Sequence, residues 1–233
     1  NDWSSALPKA NQSYFYPSFG LSGILTDMMK FPSWVSYGKA RLTMASSGYG
    51  GRQYLDRNYF SVSPGGIISP SQLRATSDYK PEITTSYEAG LDWRFFNGRL
   101  GLDLTYYLSD TKNQLIALPT PSVASLFSQE YINAGLIRNN GIELVLNGRP
   151  IETKNFSWDA SVNFADNNNK VVRLNEGSTN RLLGGSIGDV WIRGWRYDAQ
   201  GRRLVDANGR PLFATGESFV GNSNPDYMMG LSN

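Results

Sequence analysis

Residues 79–114 read YKPEITTSYEAGLDWRFFNGRLGLDLTYYLSDTKNQ, and the fold turns on how this stretch alternates. From Tyr87, the residues Tyr87, Ala89, Leu91, Trp93 and Phe95 fall on one face, with Glu88, Gly90, Asp92 and Arg94 on the other. Beyond the turn, Leu100, Leu102, Leu104, Tyr106 and Leu108 share a face against Gly101, Asp103, Thr105, Tyr107 and Ser109. Successive side chains of a strand point to opposite faces, so the period is two and not that of a helix. Asn97-Gly98 supplies the left-handed residues of a two-residue hairpin turn. The stretch is therefore expected to form a long antiparallel hairpin with one apolar and one charged face.

Two environments suit such a hairpin. In a soluble sandwich the apolar face meets a protein core. In a membrane barrel it meets lipid, and the charged face lines the interior. The neighbouring sequence bears on the choice. Alternation also runs through residues 13–26, 34–47, 130–149 and 156–165, and a last strand is expected from Pro225. Pro17 lacks a ladder donor and marks an edge or bulge in the first of these. The connections expected between strands are short (27–33), long (48–78), two residues, medium (115–129), short (150–155) and very long (166–224). Short turns at one end and long loops at the other are the habit of outer-membrane barrels. The strands also run to about 14 residues, whereas soluble strands centre on about 5–6. About 9–11 tilted residues cross a membrane, so the surplus would stand above it.

Charge placement agrees with a barrel. Glu88, Asp92, Arg94, Asp103, Glu143 and Asp159 sit opposite the apolar faces and are expected to face the lumen. Leu91, Trp93, Leu102, Leu104, Ile142, Leu144, Trp158, Val162 and Phe164 are expected to face lipid. A Lys or Arg there would cost roughly 2–4 kcal/mol at mid-membrane. Trp93, Phe95, Phe156 and Trp158 lie beside short turns, where an interfacial aromatic girdle belongs.

Composition removes several function classes. Histidine and cysteine are both absent from the 233 residues, which excludes His-based triads and general bases, imidazole ligands, disulfides and thiolate sites. A net charge of +2 without a basic run gives no reason to expect nucleic acid. No apolar run approaches the ~18 residues of a membrane helix, which leaves a barrel open. Roughly six to seven strands cannot close around a lumen, since the smallest single-chain barrels have about eight. Open edges are not tolerated in lipid. The chain starts at Asn1 and stops inside PDYMMGLSN, so it is expected to be a segment of a longer barrel.

Three stretches carry a family likeness. Residues 1–27 (NDWSSALPKANQSYFYPSFGLSGILTD) are the first and 80–115 (KPEITTSYEAGLDWRFFNGRLGLDLTYYLSDTKNQL) the second. The third pairs INAGLIRNNGIELVLNGRPI with FSWDASVNFADNNNKVVRL. In their order, and in the motifs KPE-x-T-x-S-x-E-x-G-L-D and N-x-G-x-x-x-N-x-G-I-E-L, they resemble the SusC/RagA family of TonB-dependent outer-membrane transporters. The loop sequence DAQGRRLVDANGRPLF resembles that family's outer-loop hairpin. The resemblance implies an all-β, antiparallel transmembrane β-barrel of about 22 strands around a plug. Residues 1–233 would be part of its barrel domain, with the plug and remaining strands elsewhere. It further implies import of glycans or other oligomers such as peptides, a SusD-like surface lipoprotein as partner, and energy delivered through TonB by a segment not present here. It implies a multi-pass protein of a Gram-negative outer membrane, with no cofactor and no enzymatic role. Two alternatives stay open: a siderophore or cofactor receptor of the same superfamily, and a soluble β-sandwich carbohydrate-binding module.

Binding candidates cluster in the longest loop. Trp191, Trp195 and Tyr197 could offer flat faces to sugar rings, with Arg193 and Arg196 as donors. The commoner use of such aromatics is to pack a long loop onto itself. Asp198-Ala-Gln-Gly-Arg202 is echoed by Asp206-Ala-Asn-Gly-Arg210, which suits two turns of a small ribbon. Asp206 and Asn208 lack the further acids a calcium loop needs, so no metal site is expected. The lumen-facing charges could line a substrate path, but their commoner role is to bond across strands. Strand acids at period two are expected without catalysis, so no catalytic residue is assigned.

Overall fold

The computed structural model describes residues 1–70, 72–76, 78–119, 127–133, 135–174 and 183–233. Seven strands form one antiparallel sheet: β1 (Ser18–Ile24), β2 (Val35–Tyr49), β3 (Glu82–Phe95), β4 (Leu100–Lys112), β5 (Leu136–Glu152), β6 (Ser157–Arg173) and β7 (Met228–Ser232). Each strand pairs with its neighbours in sequence, so the sheet is a meander. The connections 25–34, 96–99 and 153–156 lie at one end, and 50–81, 113–135 and 174–227 at the other.

Register sets the two faces. Directly opposed residues of antiparallel strands share a face. Ala40, Leu91, Leu104, Leu144, Phe164 and Met229 form one unbroken row across β2 to β7. The next row on the other face runs Lys39, Asp92, Asp103, Val145, Asn163 and Gly230. On β4 the apolar face runs from Leu100 to Leu108, and Asp110 then ends it. That span matches the ~9–11 tilted residues of a membrane crossing. Beyond it the same face turns polar on β5 and β6 as well, with Asn140 opposite Asn168 and Arg138 opposite Lys170.

A soluble monomer of this mass would expose about 10,500 Å² by surface scaling, whereas this chain exposes 16065 Å². The apolar face contributes to the excess: Phe19, Leu21, Leu42, Met229 and Leu231 are each more than half exposed. Among the described residues no second layer covers that face. This is a single-layer wall, not a sandwich.

The short turns differ in detail from expectation. The β3–β4 connection has four residues, not two, and Phe96 joins Asn97 and Gly98 at positive φ (53°, 56° and 84°). The longer loop lets the Phe96 amide donate to the Trp34 carbonyl at 2.8 Å and the Asn97 amide to Ser36 Oγ at 2.7 Å. These bonds tie two short connections together. Trp34, Trp93, Phe95 and Phe96 then cluster, with ring centroids 5.7–6.2 Å apart, a girdle at the rim.

The long connections are more ordered than their Gly, Ser and Pro content suggests. Ser13–Tyr14 separates from β1 at Pro17 and pairs instead with Asp2–Trp3. Residues expected to be irregular form a hairpin, Phe60–Ser63 with Ile67–Pro70. Leu115–Pro119 and Gln129–Asn133, expected as a loop and the start of β5, pair antiparallel, and Leu73–Arg74 adds a parallel edge. Loops 50–81 and 113–135 are thereby joined. Tyr79 is fully buried and packs with Leu7 and Leu55 as the core of this cap. Its hydroxyl donates to the Ala6 carbonyl. Finally, β6 continues to Arg173, so residues 166–173 are strand where a loop is expected.

Candidate functional site

Ion pairs organise the polar face, and two glycines make room for them. Arg41 on β2 lies directly opposite Gly90 on β3, which lies opposite Thr105 on β4. Gly90 has no side chain, so Arg41 crosses over it. A Cβ built at Gly90 would collide with the Arg41 guanidinium. Arg41 thus donates to Asp103 at 2.9 Å and to Thr105 Oγ1 at 2.5 Å, two strands away. The same device recurs one pair along. Tyr107 on β4 crosses Gly141 on β5 and donates to Asn167 Oδ1 on β6 at 2.9 Å.

The other expected polar-face residues also find neighbours. Asp92 pairs with Arg94 at 3.8 Å, and Arg94 sits 5.2 Å over the Tyr37 ring. Asp159 accepts from Arg149 at 2.7 Å, and Glu152 is shared by Arg149 and Arg99, each at 3.5 Å. Arg99, Arg149, Glu152 and Asp159 line an open cavity of about 540 Å³ near the short-turn end. Glu143 and Ala165 are opposed beside Tyr107, and Glu88 is opposed to Thr43 and Tyr107. Asp103 and Asp159 thus bond across strands, whereas the Asp92–Arg94 and Arg149–Glu152 pairs lie within one strand. Arg41 and Arg149 as their partners escaped sequence reading, because Arg41 reaches across a glycine and Arg149 sits where the register shifts between Gly148 and Ile151.

The described residues of the longest loop divide into two small units. Trp191 belongs to a hairpin, Asp189–Ile192 with Ser218–Asn222, and meets Phe219 edge-on at 5.8 Å. Trp195, Arg196 and Tyr197 belong to a second unit. There Arg196 donates to the Leu212 carbonyl, Leu204 to that of Arg196, and Leu212 to that of Leu204, at 2.8–2.9 Å. Residues 196, 204 and 212 are eight apart, so three short arms close into a ring. Between arms, Asp198 Oδ1 accepts from the Gln200 and Arg202 amides at 2.9 and 2.8 Å. Asp206 repeats this with Asn208 and Arg210 at 2.8 and 2.9 Å. The carboxylates hold turns, as the repeat leads one to expect.

Four of the five candidate residues are thus shared between two units, with Arg193 in the link between them. Trp195 stacks on Phe213 at 4.7 Å with Arg203 at 5.2 Å over its ring, which occupies much of its flat surface. Tyr197 stays 53% exposed, and Arg193 and Arg196 are exposed as well. Trp191 Nε1 is buried and has no acceptor among the described residues. An unpaired buried donor costs about 1–3 kcal/mol. Trp191→Phe removes it while losing some packing, so the 189–222 hairpin should keep its stability within about 1 kcal/mol. Hydrogen exchange of that hairpin in the full-length protein checks this.

Asp198 also makes a pH prediction. The Arg202 amide first, then the Arg202 side chain and the Gln200 amide, hold its carboxyl below its ordinary range despite opposing desolvation. A depressed folded pKa gives stabilisation that is present above the ordinary value of about 3.9 and lost as pH falls through the folded value. Protection of the Gln200 and Arg202 amides should fall on acidification through that range. In Asp198→Asn it should not change with pH.

Comparison with known proteins places this wall. A family model described as TonB dependent receptor-like, beta-barrel, matches residues 1–229. TonB-dependent receptor SusC of Bacteroides thetaiotaomicron is 27% identical over 77% of this chain, which covers 21% of SusC. TonB-dependent receptor P26 of Formosa agariphila is 25% identical over 100% of this chain, which covers 28% of that protein. The structure of the RagAB peptide transporter superposes on 98% of this chain with a TM-score of 0.78 and 21% identity, over 28% of its own length. The chain therefore spans a fifth to three tenths of the proteins it matches. Members of the matched family are outer-membrane β-barrels that act as transporters or receptors. With the match running through six strands and into the seventh, the chain belongs to the TonB-dependent receptor-like β-barrel family.

Proposed function

We propose that these residues form wall and outer loops of an outer-membrane importer that takes up oligomers, glycans or peptides, with a SusD-like surface lipoprotein. The single observation behind this reading is the two-faced, single-layer wall: an apolar row six strands wide, covered by no second layer among the described residues, backs onto a row that includes Lys39, Asp92 and Asp103. In the proposal, the residues of the apolar row and its neighbours, from Leu91 and Trp93 to Phe164, face lipid. Glu88, Asp92, Arg94, Asp103, Glu143 and Asp159 face the lumen, where their ion pairs stiffen the wall beside a plug supplied by the rest of the full-length protein. The short connections lie on the periplasmic side and the long ones outside the cell. Trp191, Arg193, Trp195, Arg196 and Tyr197 lie on the outer surface, where Tyr197 and the two arginines are free to meet substrate or the lipoprotein. Energy reaches the plug from TonB.

The named relatives support an oligomer as cargo: one is SusC, and another is a peptide transporter. The chemistry asked of this segment is binding and shape, with no bond made or broken. The sandwich alternative would need a layer over the apolar face, and the siderophore alternative has weaker support among the relatives. The test is deletion of the full-length gene, with growth measured on oligosaccharides, peptides and their monomers. Loss of growth on one oligomer class, with monomer growth intact, supports the reading. Unchanged growth on every oligomer, or loss only under iron limitation, overturns it. Affinity purification of the tagged full-length protein should bring down a lipid-anchored surface protein.

A further inference from the structure

Just beyond the apolar band, the lipid-side face of β4 to β6 carries a run of cations. Arg138 on β5 is directly opposed to Lys170 on β6 and to Asp110 on β4. Lys112 on β4 and Arg173 on β6 are both opposed to Leu136, two residues from Arg138. By strand geometry, opposed residues lie about 5 Å apart and diagonal ones about 7–8 Å. Four cations therefore occupy one patch three strands wide. Two acids share the face there. Asp110 is engaged by Arg138 in a two-pronged pair at 2.7 Å through Nε and NH2, which also fixes the guanidinium. Asp166 lies lower, opposed to Ile142. Among the described residues, Lys112, Lys170 and Arg173 make no ion pair, and all three are exposed.

Position gives the patch its meaning. The three strands are apolar on this face up to Leu108, Ile142 and Phe164, and the cations begin within two turns of the pleat above. Lysines and arginines at the lumen would need no such height. On the outer side of the wall, this height is where lipid headgroups meet the barrel. Charge complementarity then selects an anion, and the adjoining apolar band selects one that carries acyl chains.

We propose that Lys112, Arg138, Lys170 and Arg173 form a site on the outer surface of the wall for the phosphate groups of an outer-leaflet glycolipid such as lipid A. The proposal rests on the lipid-facing assignment above. Arg138, pinned by Asp110, is the fixed donor. The two lysines and Arg173 are the mobile cations that close on the phosphates.

The test uses full-length protein in detergent micelles, titrated with bisphosphorylated lipid A and read by native mass spectrometry. The wild type should retain the lipid. The triple variant Lys112→Gln, Lys170→Gln, Arg173→Gln should bind it on the order of 100-fold more weakly, if each cation near a charged lipid surface contributes about fivefold. Lys154→Gln, at the short-turn end, should bind like wild type. Equal retention by the triple variant overturns the site. Equal retention of lipid A stripped of its phosphates overturns the phosphate assignment. Displacement of lipid A by equimolar inorganic phosphate overturns the lipid in favour of a free-anion site. Failure of the lipid-facing assignment shows separately, as reversed spin-label accessibility on β4 and β5.

Discussion

Leu104→Arg in the full-length protein is expected to abolish assembly into the outer membrane, whereas Val145→Arg is expected to assemble. Leu104 sits mid-band on β4, between Leu91 and Leu144 in the apolar row. An arginine there faces acyl chains with no acid on its own row and costs roughly 2–4 kcal/mol. Val145 is on the neighbouring strand but the opposite face, directly opposed to Asp103. An arginine at 145 gains a carboxylate partner and a polar surrounding. Heat-modifiable gel mobility of outer-membrane fractions separates the outcomes. Equal tolerance of both would mean that the apolar face does not meet lipid.

Gly141→Ala is expected to destabilise the wall more than Gly90→Ala. A Cβ at Gly141 would lie 2.7 Å from the Tyr107 hydroxyl oxygen and would also press on the Asp166 carbonyl. The carbonyl belongs to the backbone of a paired strand and cannot swing away, so β5 and β6 must part locally. Overpacking of this kind costs about 1–3 kcal/mol, and loss of the Tyr107–Asn167 bond adds about 1 kcal/mol. At Gly90 the obstacle is Arg41, a long side chain that can move into the lumen. Gly90→Ala should break the Arg41–Asp103 pair yet cost under about 1 kcal/mol, as partly exposed pairs do. Thermal unfolding of the refolded full-length variants in detergent ranks them. Tyr107→Phe, which removes only the hydroxyl, should fall between wild type and Gly141→Ala.

The wall was legible because period-two alternation is local. Tyr87 to Phe95 and Leu100 to Leu108 declare their faces residue by residue, and antiparallel pairing in sequence order converts those faces into rows. The order of connection lengths was legible for the same reason. What stayed hidden depends on which residues meet. Phe96 entered the left-handed region because its amide could reach Trp34, a residue 62 positions earlier. The cap around Tyr79 joins loops whose Gly, Ser and Pro content reads as irregular, and its parallel pairing of Leu73–Arg74 with Gln129–Glu130 has no local signal. Arg41 and Asp103 each announced a polar face, but their bond needed register across three strands. The repeat at Asp198 and Asp206 disclosed its turns, whereas closure of three arms into a ring at residues 196, 204 and 212 did not follow from two visible copies.

Function was legible to the extent that residue types exclude chemistry. Without histidine or cysteine, this segment offers no imidazole base and no thiolate. The aromatic candidates show the limit of composition. Trp195 and Trp191 are rich in potential contact surface, yet Phe213, Arg203 and Phe219 already take much of it. Only tertiary placement separates a free aromatic face from an occupied one.

The central claim is that the row Leu91, Leu104, Leu144 faces lipid and the row Asp92, Asp103, Val145 faces the lumen. The segment has no cysteine, so single cysteines can be placed from 101 to 106 and from 142 to 147 in a full-length chain freed of any others. Each is spin-labelled in liposomes, and its accessibility to oxygen and to a water-soluble nickel chelate is measured. The account expects period-two alternation, with oxygen favoured at 102, 104, 106, 142, 144 and 146 and nickel favoured at the residues between. Reversed phase, or labels equally exposed to nickel on both faces, would contradict it.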